Sequence, residues 1–181
     1  MELKPYILSY RGKRPKIAPS AYIAPGAIII GDVEIGEESS VWFNTVIRGD
    51  VHYIRIGEKT NIQDLVMIHV TNGKWPTIIE DEVSIAHGAL IHGCIIHSRC
   101  LIGIGAVILD GAEIGEGSIV AAGSVVKEGF KAPPKSLIAG VPATVKRTLT
   151  QENVERISWH SNNYVNYRKI YQEIFEKENK L

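Results

Sequence analysis

The chain has 181 residues, 45% of them hydrophobic, and its 20 Lys and Arg balance its 20 Asp and Glu. That length fits one domain with a small appendage and a sizeable core. Zero net charge argues against a nucleic acid or an anionic membrane as partner, since both call for a basic excess.

The opening Met1-Glu2-Leu3-Lys4-Pro5 carries no apolar stretch of the kind a signal peptide needs. No window approaches the apolar length of a membrane span. A cytoplasmic location is therefore expected, with Cys94 and Cys100 as reduced thiols. Residues 1–15 read as an arm or short strand. From residue 16 a period of six takes over: Ile17, Ile23, Ile29, Ile35, Val41 and Ile47. It resumes at Ile56, Ile62 and Ile68, at Ile79, Ile85 and Ile91, and from Ile96 through Ile102, Ile108, Ile114, Val120 and Val126. Six is not a multiple of 3.6, and the segment is rich in Gly and β-branched residues, so a helix does not fit. Hairpin turn chemistry between the units is missing, so a meander does not fit either. One short strand and one tight corner per six residues does fit. Three such sides close a coil of roughly eighteen residues, with the aliphatic pointing inward and coils stacked by parallel pairing. The spacing thus predicts an all-β solenoid over residues 16–131. A connector follows over 132–149, opening on Ala132-Pro133-Pro134, and a helix over 150–181. Val154, Ile157, Tyr164, Tyr167, Ile170, Tyr171, Ile174 and Phe175 form an apolar stripe at helical spacing, which predicts a helix packed along the prism.

The interruptions point to one region. Ile47 to Ile56 is nine residues, Ile68 to Ile79 eleven and Ile91 to Ile96 five. Insertions in a solenoid go to corner loops, often on a binding face. Counting coils puts Ile47, Ile68 and Ile91 on one side, so Arg48, His69 and His92 form a column one residue further on. Neighbours in that column are about 4.8 Å apart, close enough for two imidazoles to share a metal at about 2 Å each. His87 falls on another side, stacked above Asp64, and points away from the first column. Stacked histidines also arise on ordinary β-helix surfaces. The gathering of Arg48, Asp50, Gln63 and Asp64 on the same two sides favours a site. His52, His97 and His160 lack this relation and read as local contacts.

At these residues the sequence closely resembles the gamma-class carbonic anhydrase family. The matching motifs are Val41-Trp42-Phe43-Asn44-Thr45-Val46-Ile47-Arg48-Gly49-Asp50, Ile56-Gly57-Glu58-Lys59-Thr60-Asn61-Ile62-Gln63-Asp64, His69, and His87-Gly88-Ala89-Leu90-Ile91-His92-Gly93-Cys94. The likeness runs from about residue 10 to 170. It implies a left-handed coil, which spacing alone does not set, because parallel crossovers are normally right-handed. It also implies a homotrimer with metal sites between subunits, His69 and His92 coming from one and His87 from its neighbour. The metal would be zinc, with iron or cobalt as alternatives, and the substrates CO2 and bicarbonate. By the same resemblance Gln63 orients bound water or bicarbonate and Asn61 supports it. Tyr164 and Asn166 line the pocket, and Arg48, Asp50 and Asp64 form ion pairs at the interface. Two positions depart from the family pattern. Val51 stands where active members carry an acidic residue, and no carboxylate lies between positions 70 and 79 to act as a proton shuttle. Slow hydration, or none, is the expectation that follows. A hexapeptide-repeat acyltransferase is the alternative, supported by the hexads and by Ala139-Gly140-Val141-Pro142-Ala143. A non-catalytic metal-binding or assembly protein is the third reading.

Overall fold

A computed structural model describes residues 4–178. The chain winds into a left-handed parallel β-helix with one C-terminal helix, Gln151–Glu178. Its three faces are the three sides counted from the hexads. The first stacks Ile29, Ile47, Ile68, Ile91, Ile108 and Val126 in register. The second stacks Ile17, Ile35, Ile56, Ile79, Ile96, Ile114 and Ala132. The third stacks Ile23, Val41, Ile62, Ile85, Ile102, Val120 and Ile138. Two long strands, Ile28–Ile35 and Val46–Ile56, run past a corner and join the first two faces into one hydrogen-bonded sheet of twelve strands.

Period two within each short strand sends the aliphatic inward and its neighbours out. Almost all of the column residues are fully buried, and each buried Ile contributes roughly 1.5–3 kcal/mol relative to exposure. Corners turn through left-handed residues. On the edge between the third and first faces these are Gly26, Asn44, Leu65, Gly88, Gly105 and Gly123, one per coil. Leu65 adopts φ of 61° there although it is an aliphatic residue, and it is 66% exposed.

Residues 132–149, expected as a connector, carry two strands. Ser136–Gly140 extends the third face in parallel, and Ala143–Thr148 folds back antiparallel to cap it. At the other end Tyr6–Leu8 pairs with residues 28–30. The helix starts at a reciprocal cap in which Thr150 and Asn153 each accept the other's backbone N–H on a side-chain oxygen. It packs on the third face. Val154 and Ile157 are buried, and Trp42 meets Tyr164 and Tyr171 edge-on at 5.4 and 5.0 Å. Arg168 pins it to Glu38 and to the Ser20 carbonyl.

Only part of the apolar stripe is covered. Tyr167, Ile170 and Ile174 are 47, 54 and 44% exposed. At 3.6 residues per turn they lie opposite Val154 and Ile157, so the helix carries a second apolar side turned outward. No helix among the described residues is long and apolar enough to cross a membrane.

Candidate metal centre

His69 and His92 are register partners on adjacent strands of the first face, Met67–His69 and Leu90–His92. Their rings sit 5.1 Å apart, with His69 Nδ1 3.1 Å from His92 Nε2. The opposite nitrogen of each ring meets a carboxylate. His69 Nε2–H donates to Asp50 Oδ1 at 3.0 Å, and His92 Nδ1–H donates to Asp110 Oδ1 at 2.5 Å. A carboxylate only accepts, so these contacts place the ring protons on the outer nitrogens. The two inner nitrogens are then lone pairs facing one another. Two nitrogens bound at about 2.05 Å to one tetrahedral ion lie about 3.3 Å apart, close to the separation here. That donor set fits a divalent ion bound by imidazole, each ring oriented by a carboxylate behind it.

The electrostatics agree. Burial, together with the charges of Arg48 and His92, holds the His69 pKa below its ordinary value, and Asp50 only partly opposes this. His69 is therefore neutral near pH 7, the form a metal requires. Burial would raise Asp50 and Asp110, but hydrogen bonds outweigh it. Asp50 is held low by Arg48 and His69, and Asp110 by Thr71 and His92. Both remain carboxylates.

His87 lies on the corner after the third face, with its Nδ1 2.8 Å from Asp64 Oδ2. Its side chain is 47% exposed. Among the described residues of one chain no cluster of three ligands forms, because His87 occupies a different face from His69 and His92. On the third face Gln63 and Asn61 are buried. Gln63 Nε2 donates to Asn61 Oδ1 at 3.0 Å, and Asn61 Nδ2 to Ser84 Oγ at 2.8 Å. A groove of about 470 Å³ between this face and the helix is lined by Gln63, Ser84, His87, Ile104, His160 and Tyr164. Burial, with Asp64's charge second, pushes the Tyr164 hydroxyl up to about 12, so it stays a neutral donor.

The remaining candidates fall as follows. Within the chain Arg48 pairs with Asp50, and Asp64 lies beside His87. Asn166 is exposed, away from the groove that Tyr164 lines. His52 Nδ1 accepts the Tyr53 amide. His97 sits between two carboxylates, Glu80 and Glu113, at 2.9 Å each. Cys94 and Cys100 are unpaired and buried, and burial pushes both thiols up to about 12. Asp110 is the residue the sequence reading missed. Its signal was available by counting, since it stacks one coil above Gly93, beside His92.

The fold defines a hexapeptide-repeat protein, with two histidines stacked on its first face and a third on a neighbouring corner. The hexapeptide family of bacterial transferases matches residues 14–49 and 93–128. A carbonic anhydrase of Geobacillus kaustophilus is 46% identical over 166 residues, covering 92% of this chain and 91% of that protein. Gamma carbonic anhydrase 2 of Arabidopsis thaliana mitochondria is 42% identical over 164 residues, covering 88% of this chain, which spans only 59% of the plant protein. A crystal structure from Bacillus cereus, provisionally named an acetyltransferase, superposes with a TM-score of 0.92 at 46% identity, covering 94% of this chain and 98% of that one. The chain belongs to the gamma-class carbonic anhydrase family.

Proposed function

We propose that the protein hydrates CO2 reversibly at a zinc site completed by His87 of a second subunit in a homotrimer. The observation that carries this is the pair of lone-pair nitrogens, His69 Nδ1 and His92 Nε2, converging at 3.1 Å with carboxylates behind both rings. Two unshared nitrogens that close repel unless a cation or proton lies between them. Imidazole donors suit zinc, and iron or cobalt would fit the same set.

A shared site is supported by the surface of the first face. Its outward column is apolar throughout: Ile28, Val46, Met67, Leu90, Val107 and Val125. The matching column on the second face is mostly charged, with Lys16, Glu34, Arg55, Glu113 and Lys131 and only Ile78 and Ile95 apolar. Leu65 and Ile104, beside Asp64 and above His87, are 66 and 59% exposed. An apolar column flanking two histidines calls for cover, and a neighbour's His87 corner would supply both cover and the third ligand.

When bound, the ion would supply Lewis acidity that makes hydroxide available from water near neutral pH. Asp50 and Asp110 orient the His69 and His92 rings through their outer nitrogens, and Asp64 lies beside His87. Gln63, fixed through Asn61 and Ser84, offers its Oε1 as an acceptor to orient water or bicarbonate. Tyr164 keeps a hydroxyl at the groove. Export of the proton is the weak step. Val51 replaces a carboxylate, the loop after His69 holds none, and His52 already uses Nδ1 locally. A positioned acid–base group contributes about 10²–10⁴-fold, so hydration should be slow and should rise with imidazole buffer. A cytoplasmic location belongs to the same reading.

The test is metal analysis followed by stopped-flow CO2 hydration on metal-defined protein. About one ion per chain is expected, with most of it lost in His69→Ala, His87→Ala and His92→Ala alike. Full occupancy in His87→Ala would refute the ligand set, and fast, buffer-independent turnover would refute the account of proton export. Acyl transfer is the second reading, on the strength of the transferase hexapeptide match and the Bacillus cereus name. Metal-free protein that consumes an acyl thioester would establish it instead. A metal-loaded protein inactive in both assays would point to the binding or assembly role.

A further inference from the structure

The insertion after His69 makes contacts that converge on one carboxylate. Thr71 Oγ1 donates to Asp110 Oδ2, and Asp110 Oδ1 accepts from His92 Nδ1–H. Thr71 is itself fixed within the loop. Its amide donates to the Trp75 carbonyl at 3.0 Å, and its carbonyl accepts from the Lys74 and Trp75 amides at 3.2 and 3.3 Å. Trp75 closes the assembly. Its ring lies against Gly111, where an added Cβ would stand 3.1 Å from two ring carbons. Its own Cβ lies against Gly93, where an added Cβ would stand 2.8 Å from it and 2.3 Å from Asp110 Oδ1.

An imidazole has two neutral tautomers, and a hydrogen bond to one nitrogen selects between them. At His92 the choice has a definite alternative. With the proton on Nε2, the ring would donate across 3.1 Å to His69 Nδ1 and tie up both inner lone pairs in an internal hydrogen bond. With the proton on Nδ1, both lone pairs stay open. Asp110 favours the second state, and Thr71 aims Asp110.

We infer that Thr71 and Asp110 are positioning residues for His92: the relay from the 71–76 loop holds the ring proton on Nδ1 and keeps Nε2 open as a donor beside His69. The functional sense of this rests on the metal reading above, but the relay itself is a property of the metal-free chain.

Nitrogen-15 NMR of histidine rings in chelator-treated protein reads the tautomer directly. His92 is expected as the Nδ1–H form in the native protein and in Thr71→Ser. It should shift toward Nε2–H in Asp110→Asn and, to a smaller degree, in Thr71→Val. Zinc affinity, measured by chelator competition, should fall about 10–100-fold in Asp110→Asn, less in Thr71→Val, and stay near native in Thr71→Ser. Melting curves identify any variant that fails to fold, and if Asp110→Asn does, Thr71→Val carries the test. A native His92 protonated at Nε2 overturns the proposal. So do Asp110→Asn and Thr71→Val variants with unchanged tautomer and affinity. If native His92 is the Nδ1–H form and the protein binds no metal, the relay stands and the metal reading falls.

Discussion

Mixing subunits gives the sharpest test of how the three histidines are distributed. His69 and His92 share the first face, His87 sits on the corner after the third, and no three-ligand cluster forms among the described residues of one chain. In a closed ring each site would take the stacked pair from one subunit and His87 from the next. Neither His87→Ala nor His92→Ala trimers can then build a complete site. Refolded together in equal amounts, they can. A site is whole only where a His87→Ala subunit, which keeps the stacked pair, precedes a His92→Ala subunit, which keeps His87. Random assembly into a closed ring makes that about one interface in four. Zinc content should therefore rise from near zero to about a quarter of the native value when the two variants are mixed. The assay is metal analysis of the mixed trimers after gel filtration, with the unmixed variants treated identically. Mixed trimers, verified by mass spectrometry, that hold no more zinc than their parents would refute the shared site. High zinc in either parent alone would refute it from the other side.

Two further outcomes follow from the geometry. Gly93→Ala should weaken zinc binding about 10–100-fold, because its new Cβ would fall 2.3 Å from Asp110 Oδ1 and its φ of 54° is left-handed. Chelator competition measures the loss, and native affinity would show that Asp110 need not stay in place. His97 should make the fold sensitive to alkali. Its hydrogen bond to Glu113 chiefly, with Glu80 adding and burial opposing, raises its pKa above the ordinary 6.5. The stability it lends is complete below that ordinary value and is lost as pH rises through the raised one. Glu80 and Glu113 are lowered, so their share is lost as pH falls through their values below the ordinary 4.5. At partly exposed groups the clamp contributes only about 0.2–1 kcal/mol. Melting of native and His97→Gln protein, both with chelator present, should differ more at pH 6 than at pH 9, and equal differences at the two values would contradict the assignment.

The hexads made the three faces legible, because a period of six with one inward aliphatic leaves little freedom in register. The same counting stacked His69 on His92 and Asp64 under His87, as the strands do. Where the counting had no purchase was direction. Val154 and Ile157, and Tyr167, Ile170 and Ile174, all recur at helical spacing, yet the two sets lie on opposite sides of the helix. A wide stripe does not say which side meets the prism. Arg48 and Asp50 lie two residues apart along one strand, their side chains point the same way, and they pair within the chain.

Asp110 was hidden for a different reason. It lies 18 residues beyond His92, outside every motif that marks the site. In a solenoid, however, one coil of separation is contact. His69 meets a carboxylate 19 residues away and His92 one 18 away, each about one coil, so the carboxylate behind a ligand belongs to the neighbouring turn rather than the neighbouring residue. This makes the site vulnerable to insertions, since added residues between two ligand strands break the ladder that aligns them. Here the ladder runs unbroken to Gly93, whose amide donates to the His69 carbonyl at 3.2 Å, and Thr77 braces it. Its buried hydroxyl donates to the same carbonyl at 2.7 Å and accepts the Gly93 amide at 3.0 Å, bridging the two histidine strands just past the loop. The loop can therefore reach Asp110 without disturbing the register of His69 and His92, and the stacking that forms the core also aligns the donors.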